Sequence, residues 1–362
     1  MYDYMIVGSG IYGSVLAYEL TKVGKSCLVI DRRCHIGGNC YTENVGGIEV
    51  HKYGPHIFNT NSDKIWEYVN SIYPINNYNH KVKVNYKGEI YSFPVNLKTF
   101  NQLWGCNNEE DVLNELKLRK KHFDKVDNLE KHVLNELGEE IYLKFYKGYS
   151  EKQWGTSCSN IPCSTGKRLP IRYHDNDHYH NSKYSGIPMN GSYTNIFSRL
   201  LDGIEVKLGE EFDLNWKSIA KNLIYSGSID EYYNYCYGFL EYRSLNFKEY
   251  RHEISDYQGI AQVNYTDINI PYTRVIEHKH FVNNLNLKHT IITEEYPIEY
   301  RLGGERYYPV NSVRNQELYK KYYEKSKSDN VLFGGRLGSY KYLDMDAVFG
   351  MALKDFNQIL AK

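Results

Sequence analysis

The sequence predicts an α/β protein in which a Rossmann-type dinucleotide-binding domain carries an inserted helical domain and an antiparallel β-sheet domain. Three observations predict it. The N-terminus runs apolar strand, glycine turn, helix, apolar strand, acid. From Leu97 to about Leu143 the apolar residues fall at three- and four-residue spacing, and from Leu240 to Leu302 apolar and polar residues alternate.

The first stretch is the most informative. Tyr2-Asp3-Tyr4-Met5-Ile6-Val7 leads into Gly8-Ser9-Gly10-Ile11-Tyr12-Gly13, a helix with Ala17 and Leu20 on its inner side follows, and Leu28-Val29-Ile30 closes on Asp31. In a βαβ fingerprint of this kind Gly8 permits the tight turn and Gly10 lets the backbone approach a pyrophosphate. Gly13 lets helix and strand pack closely, and the acid accepts from the ribose hydroxyls. The free N–H groups at the helix N-terminus suit the anion. After Arg32-Arg33-Cys34-His35-Ile36 comes a second glycine pair, Gly37-Gly38, and then Asn39. The extra backbone N–H groups of such a turn suit a longer cofactor, which favours FAD over NAD. The expected cofactor contacts here are Gly8, Gly10, Gly13, Asp31, Arg32, Gly38 and Asn39.

Composition narrows the function. The 362 residues suffice for two or three domains. Lys+Arg and Asp+Glu number 44 each, so no global field draws the chain to nucleic acid or an anionic membrane, and an anionic substrate must be held by local arginines. No basic and apolar leader precedes the fingerprint and no apolar run reaches the roughly 20 residues of a membrane span, so a cytoplasmic location is expected. Seven cysteines without a C-x-x-C pair argue against a disulfide framework and a structural zinc. The 37 tyrosines, against 13 phenylalanines, fit core filling or a hydroxyl-lined pocket.

Further along, alternation around Ile48 and Val50 predicts a strand broken at Gly54-Pro55. His56 follows, either satisfied in a turn or lying against the flavin ring. Asp63 to Ser71 reads as a short helix, and Lys81 to Tyr86 with Ile90 to Phe93 as a hairpin turning at Lys87-Gly88. Glu109 to His122 and Leu129 to Leu137 read as helices with solvated Lys and Glu faces. Phe145 to Gly155 is an aromatic cluster with polar tips, suited either to an interdomain core or to stacking on a base. Residues 155 to 192 lack periodicity, as lids do, and carry Arg168 and Arg172. Thr194 to Leu201 (helix), Glu205 to Leu208 and Asn222 to Tyr225 (strands) return the chain to the nucleotide-binding sheet. Strands are then expected at Glu241 to Phe247, Ala261 to Tyr265, Arg274 to His278 and Thr290 to Glu294. Arg274, at a strand start, suits either a surface ion pair or an anion. The His278-Lys279-His280 triplet lacks a nearby carboxylate or cysteine to complete a ligand set, so no metal is expected. Val331 to Phe333 is a strand, Gly334-Gly335-Arg336 a turn whose arginine can neutralise phosphates, and a helix runs to Leu360 with Asp344 and Met345 near its start, against the flavin. The division that follows is an FAD-binding domain (1–80, 190–235 and 315–362), a helical domain (95–160), a mobile substrate loop (160–190) and a sheet domain (81–94 and 236–314).

The strings VGSGIYG, RRCHIGGN, HKYGPHIF, GYSEKQWG, PYTRVIEHKHF, YYPVN and FGGRLGSYKYLDM occur in one order over essentially the whole chain, and together resemble bacterial UDP-galactopyranose mutase. The resemblance implies FAD, active when reduced, and interconversion of the pyranose and furanose forms of UDP-galactose by attack of flavin N5 on the anomeric carbon with release of UDP. It implies Tyr149 against the uracil, and Trp154, Tyr179, Tyr308 and Tyr342 in the substrate cleft. Arg168 and Arg274 fall on the diphosphate, with Arg172 the weaker candidate, and His56 falls on the flavin. It implies a homodimer through the helical segment. An external reductant or NAD(P)H must supply electrons.

One departure is Asn59, where the family commonly has a histidine. A shorter neutral amide opens the sugar pocket to UDP-N-acetylgalactosamine or a dTDP-deoxy-sugar. An amine-oxidase-like flavin oxidoreductase, sharing the two glycine-rich strands, is the alternative of another class, and a non-catalytic nucleotide-sugar-binding flavoprotein the third.

Overall fold

The computed structural model describes residues 1–282 and 286–361. Residues 283–285 of the predicted sheet segment, and residue 362, lie outside that description. The chain groups into two compact units: Met1–Asn77, Gly186–Arg243 and Tyr300–Lys362 form the first, Tyr78–Ser185 and Ser244–Glu299 the second. This grouping is coarser than the four-part division above.

The first unit is built on a five-stranded parallel sheet in the order Val331–Phe333, Ala220–Tyr225, Tyr2–Val7, Cys27–Asp31, Glu205–Leu208. Cys27–Asp31, buried throughout, reads as an apolar run closing on an acid because both of its faces are covered. The helix Ile11–Lys22 buries Val15, Leu16, Ala17 and Leu20 completely and packs on the C-terminal helix Met345–Leu360. Close packing behind the glycine turn depends on Gly13, where a Cβ would sit 2.0 Å from the Gly8 carbonyl oxygen. Under the sheet, Met5, Leu28, Ile30, Trp216, Leu223 and Tyr225 form a core. Tyr242 and Arg243 pair antiparallel with Pro309 and Tyr308 at the edge of this unit.

The second unit holds strands in the order Tyr242–His252, Thr290–Glu299, Arg274–Glu277, Gln262–Tyr265, Val82–Tyr86, Glu89–Phe93. Its hairpin turns at Lys87 and Gly88, both at positive φ (53° and 91°), as a tight two-residue connection requires. The predicted antiparallel sheet needs one correction: Gln262–Tyr265 runs parallel to Val82–Tyr86. The helices Leu97–Trp104, Glu109–Arg119 and Leu129–Leu137 start at Asn96, Asn108 and Asn128, each of whose side chains accepts from a first-turn amide. Val84, Tyr91 and Phe93 of the hairpin share one core with Phe100, Leu116, Val133 and Phe145 of the helical segment. Here hairpin and helices therefore fold as one body. His278, expected to end a strand, instead opens a 3₁₀ turn, His278–Phe281.

Candidate functional site

In the first unit an open channel lies beyond the carboxyl ends of the parallel strands, where ligands of open α/β sheets bind. Gly8, Gly10, Asp31, Arg32, Gly38, Asn39, His56, Gly335, Arg336 and Met345 line it. Gly13 does not line it and acts from behind, through the packing just described. Asp344 is the N-cap residue of Met345–Leu360 and also stands outside the lining.

The two glycine turns meet. A Cβ on Gly38 would approach the Gly10 Cα to 3.1 Å, and Gly8, at φ +99°, leaves room for Ser226 Oγ, 2.1 Å from where its Cβ would be. Side chains at these positions would press on Ser226 and on the facing glycine turn, so both turns present bare backbone to the channel, a cradle that fits a dinucleotide. Asp31 is buried and fixed: Ser9 donates to its Oδ2 from N (2.8 Å) and Oγ (2.7 Å), and Arg33 N donates to Oδ1 (2.9 Å). Arg33 stands over the Tyr53 ring at 4.2 Å and donates to Asn39 Oδ1 at 3.0 Å and to Glu305. Arg32 also reaches Glu305, at 3.3 Å.

At the channel's other end Arg336 donates to the Leu343 carbonyl at 2.9 Å and lies 5.2 Å from the centre of the Tyr342 ring. Tyr342 is stacked on Tyr308 with centroids 5.4 Å apart. His56 Nδ1 sits 2.8 Å from the Gly54 carbonyl, which can only accept, so Nδ1 carries a proton. Asn59 lies on the strand Phe58–Thr60, donates to the Ile57 carbonyl at 3.3 Å, and stands outside the channel lining. Glu210, Phe212, Tyr225, Glu231, Glu305 and Arg306 also line the channel and were not foreseen. Of these, Tyr225 ends a strand that the sequence returns to this sheet, and Glu210 lies two residues past the strand that pairs with the Asp31 strand.

The remaining candidates belong to the second unit. Tyr149 and Trp154 share the helix Gly148–Trp154, which ends at Gly155 in a left-handed cap with φ 65°. Arg168 ends the 3₁₀ run Cys163–Arg168 and is exposed. Arg172 is buried, its guanidinium pulled below the usual range by that burial, and it donates to the Asn176 carbonyl at 3.4 Å. It is an interior residue, a poor choice for a closing clamp. Tyr179 packs on His80 and Phe93. Burial lowers the His80 pKa to about 3, so that ring is neutral.

Arg274 begins the strand Arg274–Glu277 and ion-pairs with Glu295 at 2.8 Å, its cross-strand partner. Glu295 is wholly buried and was missed in the sequence, since only strand register places it there. The expectation that no carboxylate stands near His278-Lys279-His280 is also overturned. His280 Nε2 is 3.2 Å from Glu277 and 3.4 Å from Asp256. Burial would push the Glu277 carboxyl up, but His280, Thr290 and the amides of Tyr257 and Gln258 hold it down to about 2. Glu277 thus ion-pairs with His280 while accepting from Thr290, Tyr257 and Gln258.

Residues 144–342 match the family model for UDP-galactopyranose mutase, and residues 6–72 match that of an NAD(P)-binding Rossmann-like domain. A probable UDP-galactopyranose mutase of Klebsiella pneumoniae is 38% identical, the alignment covering 99% of this chain and 94% of that protein. A dTDP-fucopyranose mutase of Escherichia coli is likewise 38% identical, over 97% and 96% of the two chains. A UDP-galactopyranose mutase of Mycoplasma genitalium is 32% identical over 99% and 95%. Among solved structures, reduced UDP-galactopyranose mutase superposes with a TM-score of 0.77 at 15% identity, covering 100% and 96%. A putrescine oxidase with bound putrescine gives 0.57 at 12%, covering 100% and 99%, a likeness of fold alone.

Proposed function

The chain belongs to the UDP-galactopyranose mutase family, whose members are isomerases, and from that premise we propose that it holds FAD in the glycine cradle and, with the flavin reduced, interconverts the pyranose and furanose forms of UDP-galactose. The observation that carries the reading is the meeting of Gly10 and Gly38 beside the fixed carboxylate of Asp31, in a channel whose lining continues through His56 and Arg336. Reduced flavin, when bound, supplies the nucleophile for the anomeric carbon.

The protein's part is to bind, orient and stabilise charge. Gly8 and Gly10 admit the pyrophosphate to the N-terminus of Ile11–Lys22, Asp31 takes the ribose, and Arg336, held by the Leu343 carbonyl, faces the channel as a fixed cation. His56, in the channel lining, is the side chain that meets the ring system. On the substrate side Tyr149 and Trp154 of the second unit present flat rings for the uracil and Tyr179 of that unit serves the substrate, while Tyr308 and Tyr342 are the substrate tyrosines of the first unit. As the sugar–nucleotide bond breaks, negative charge grows on the diphosphate, and Arg274 and Arg168 are the cations that meet it. Glu295 keeps Arg274 aimed before substrate arrives. Arg168, exposed on a short turn, engages by closure. Electrons come from an external reductant or NAD(P)H, the protein acts in the cytoplasm, and it works as a homodimer. Among the described residues no helix is long and apolar enough to cross a membrane.

A second reading of the sugar has its own support. The dTDP-fucopyranose mutase is as similar to this chain as the probable UDP-galactopyranose mutase of Klebsiella pneumoniae, at 38% each, and the resemblance puts Asn59 where the family commonly has histidine. Dithionite-reduced protein is to be incubated with UDP-galactose, UDP-N-acetylgalactosamine and dTDP-fucose, and the products resolved by chromatography. Furanose from the UDP-galactose arm alone supports the first reading, and preference for the dTDP-sugar the second. Flavin reduction by an amine, with no furanose from any sugar, would make the protein an oxidoreductase instead.

A further inference from the structure

We propose that Lys152 is a positioning residue whose ammonium, enclosed by four backbone carbonyls, ties the Tyr149–Trp154 helix to the loop that delivers Arg274. The proposal rests on the nucleotide-binding roles given above to those three residues. Lys152 Nζ lies 2.8 Å from the carbonyl of Tyr265 and 2.9 Å from each of those of Asp267, Ile270 and Tyr272. An ammonium has three hydrogens, so four oxygens at this distance form a cation cage in which the donors are shared. The loop from Tyr265 to Tyr272 is wrapped round the charge, and its own carbonyls point inward at one another without it.

The rest of the contact has the same logic. Lys144, Gly148 and Lys152 follow at four-residue intervals, and all three meet this loop. Thr266 Oγ1 donates to the Lys144 carbonyl at 2.5 Å. A Cβ on Gly148 would come within 2.2 Å of the Thr266 carbonyl oxygen, so glycine is needed for the helix backbone to rest on the loop. Tyr149 stands beside this stripe and Trp154 ends the same helix. At the loop's far end, Tyr272 gives its carbonyl to Lys152. Thr273 N then donates to the Glu295 carbonyl at 2.9 Å, and Arg274 pairs with the Glu295 side chain at 2.8 Å. One continuous set of contacts thus runs from the base-stacking helix to the diphosphate arginine.

A purely structural filler at this place would be better served by an apolar side chain, because even a half-buried cation is costly to desolvate. Burial here draws the Lys152 pKa down to about 8, with Asp267 the opposing carboxylate. What the charge gives is direction: it fixes the oxygens of a loop whose own backbone bond at this point runs from Ile270 N to the Asp267 carbonyl, at 3.2 Å.

The test uses the FAD-loaded, reduced protein and its Lys152→Ala variant, with UDP as the binding probe. The variant's missing atoms correspond to propylammonium. The expected result is a rise of about tenfold or more in UDP Kd and in KM, with flavin content and absorbance unchanged. Millimolar propylammonium is expected to restore most of the lost affinity, and propanol none of it. Affinity within twofold of the native protein, rescue by both additives alike, or rescue by neither would overturn the proposal. Should the variant fail to fold, hydrogen exchange on the native protein decides. UDP is expected to slow exchange in residues 148–154 and 265–274 together, and protection confined to one of them overturns the link. Native protein that binds no UDP would instead refute the nucleotide-sugar reading itself.

Discussion

Replacing Glu295 with Ala strips Arg274 of its cross-strand carboxylate, and the structure sets the size of the effect. The two charges are 2.8 Å apart, Glu295 wholly buried and the Arg274 side chain 18% exposed. At an effective dielectric of about 20, unit charges at 4 Å attract by about 4 kcal/mol. Removing one partner of a buried pair costs roughly 3–5 kcal/mol because the other is left without compensation. The residual exposure of Arg274 lets water recover part of that, which places the loss near 3 kcal/mol. For a unit of this size each kcal/mol moves Tm by about 2–4 °C, so a fall of about 6–12 °C is expected in thermal unfolding. UDP should restore more of that loss in the variant than it adds to the native protein, since the diphosphate supplies the missing negative charge. A Tm within about 2 °C of native, or equal stabilisation of both proteins by UDP, would refute this account of Arg274.

Gly8→Ala and Gly38→Ala both place a Cβ where backbone or side-chain atoms already sit, at positive φ, so either protein should lose most of its bound FAD in an absorbance assay while Gly88→Ala, whose Cβ meets nothing within 4 Å, keeps it. Arg168→Ala should raise KM for the nucleotide sugar at least tenfold and leave flavin content alone, measured by steady-state kinetics. Leu16→Ala, at a fully buried position, should destabilise the first unit by about 2–5 kcal/mol in denaturant unfolding. The Glu277–His280 pair sets a pH window. Glu277 is held below its usual 4.5, so its contribution is complete above that value and disappears as pH falls towards 2. His280 is raised above 6.5 by Glu277, so its contribution is complete below 6.5 and is lost as pH rises through the raised value. Stability of the second unit should therefore be greatest between about pH 4.5 and 6.5 as far as this pair is concerned, and Glu277→Gln should flatten both limbs.

The cofactor cradle was legible because its determinants are local. A strand, three glycines and an acid within Tyr2–Asp31 dictate their own geometry, and the second glycine pair follows within a few residues. Helix starts near Leu97, Glu109 and Leu129 were legible from the local spacing of apolar residues, whereas the capping asparagines Asn96, Asn108 and Asn128, equally local, were not read. What escaped depends on pairing between distant segments. Glu295 meets Arg274 only through strand register, and the parallel pairing of Gln262–Tyr265 with Val82–Tyr86 is a property of topology that alternation does not encode. His278-Lys279-His280 was misread because three residues after a strand look like its continuation, while the backbone tightens into a 3₁₀ turn that swings His280 onto Glu277 and Asp256. Arg168 and Arg172 lie four residues apart and look alike in sequence. Packing alone separates an exposed cation from an interior one.

The central claim is that a flavin held by the N-terminal cradle must be reduced for the sugar ring to be remodelled, with no net redox change. The most direct measurement is turnover of UDP-galactose by the purified yellow protein, assayed with and without dithionite under anaerobic conditions. Furanose formation by the reduced protein and none by the oxidised form is the predicted result. Equal turnover by oxidised protein, or a colourless protein that takes up no FAD, would contradict it.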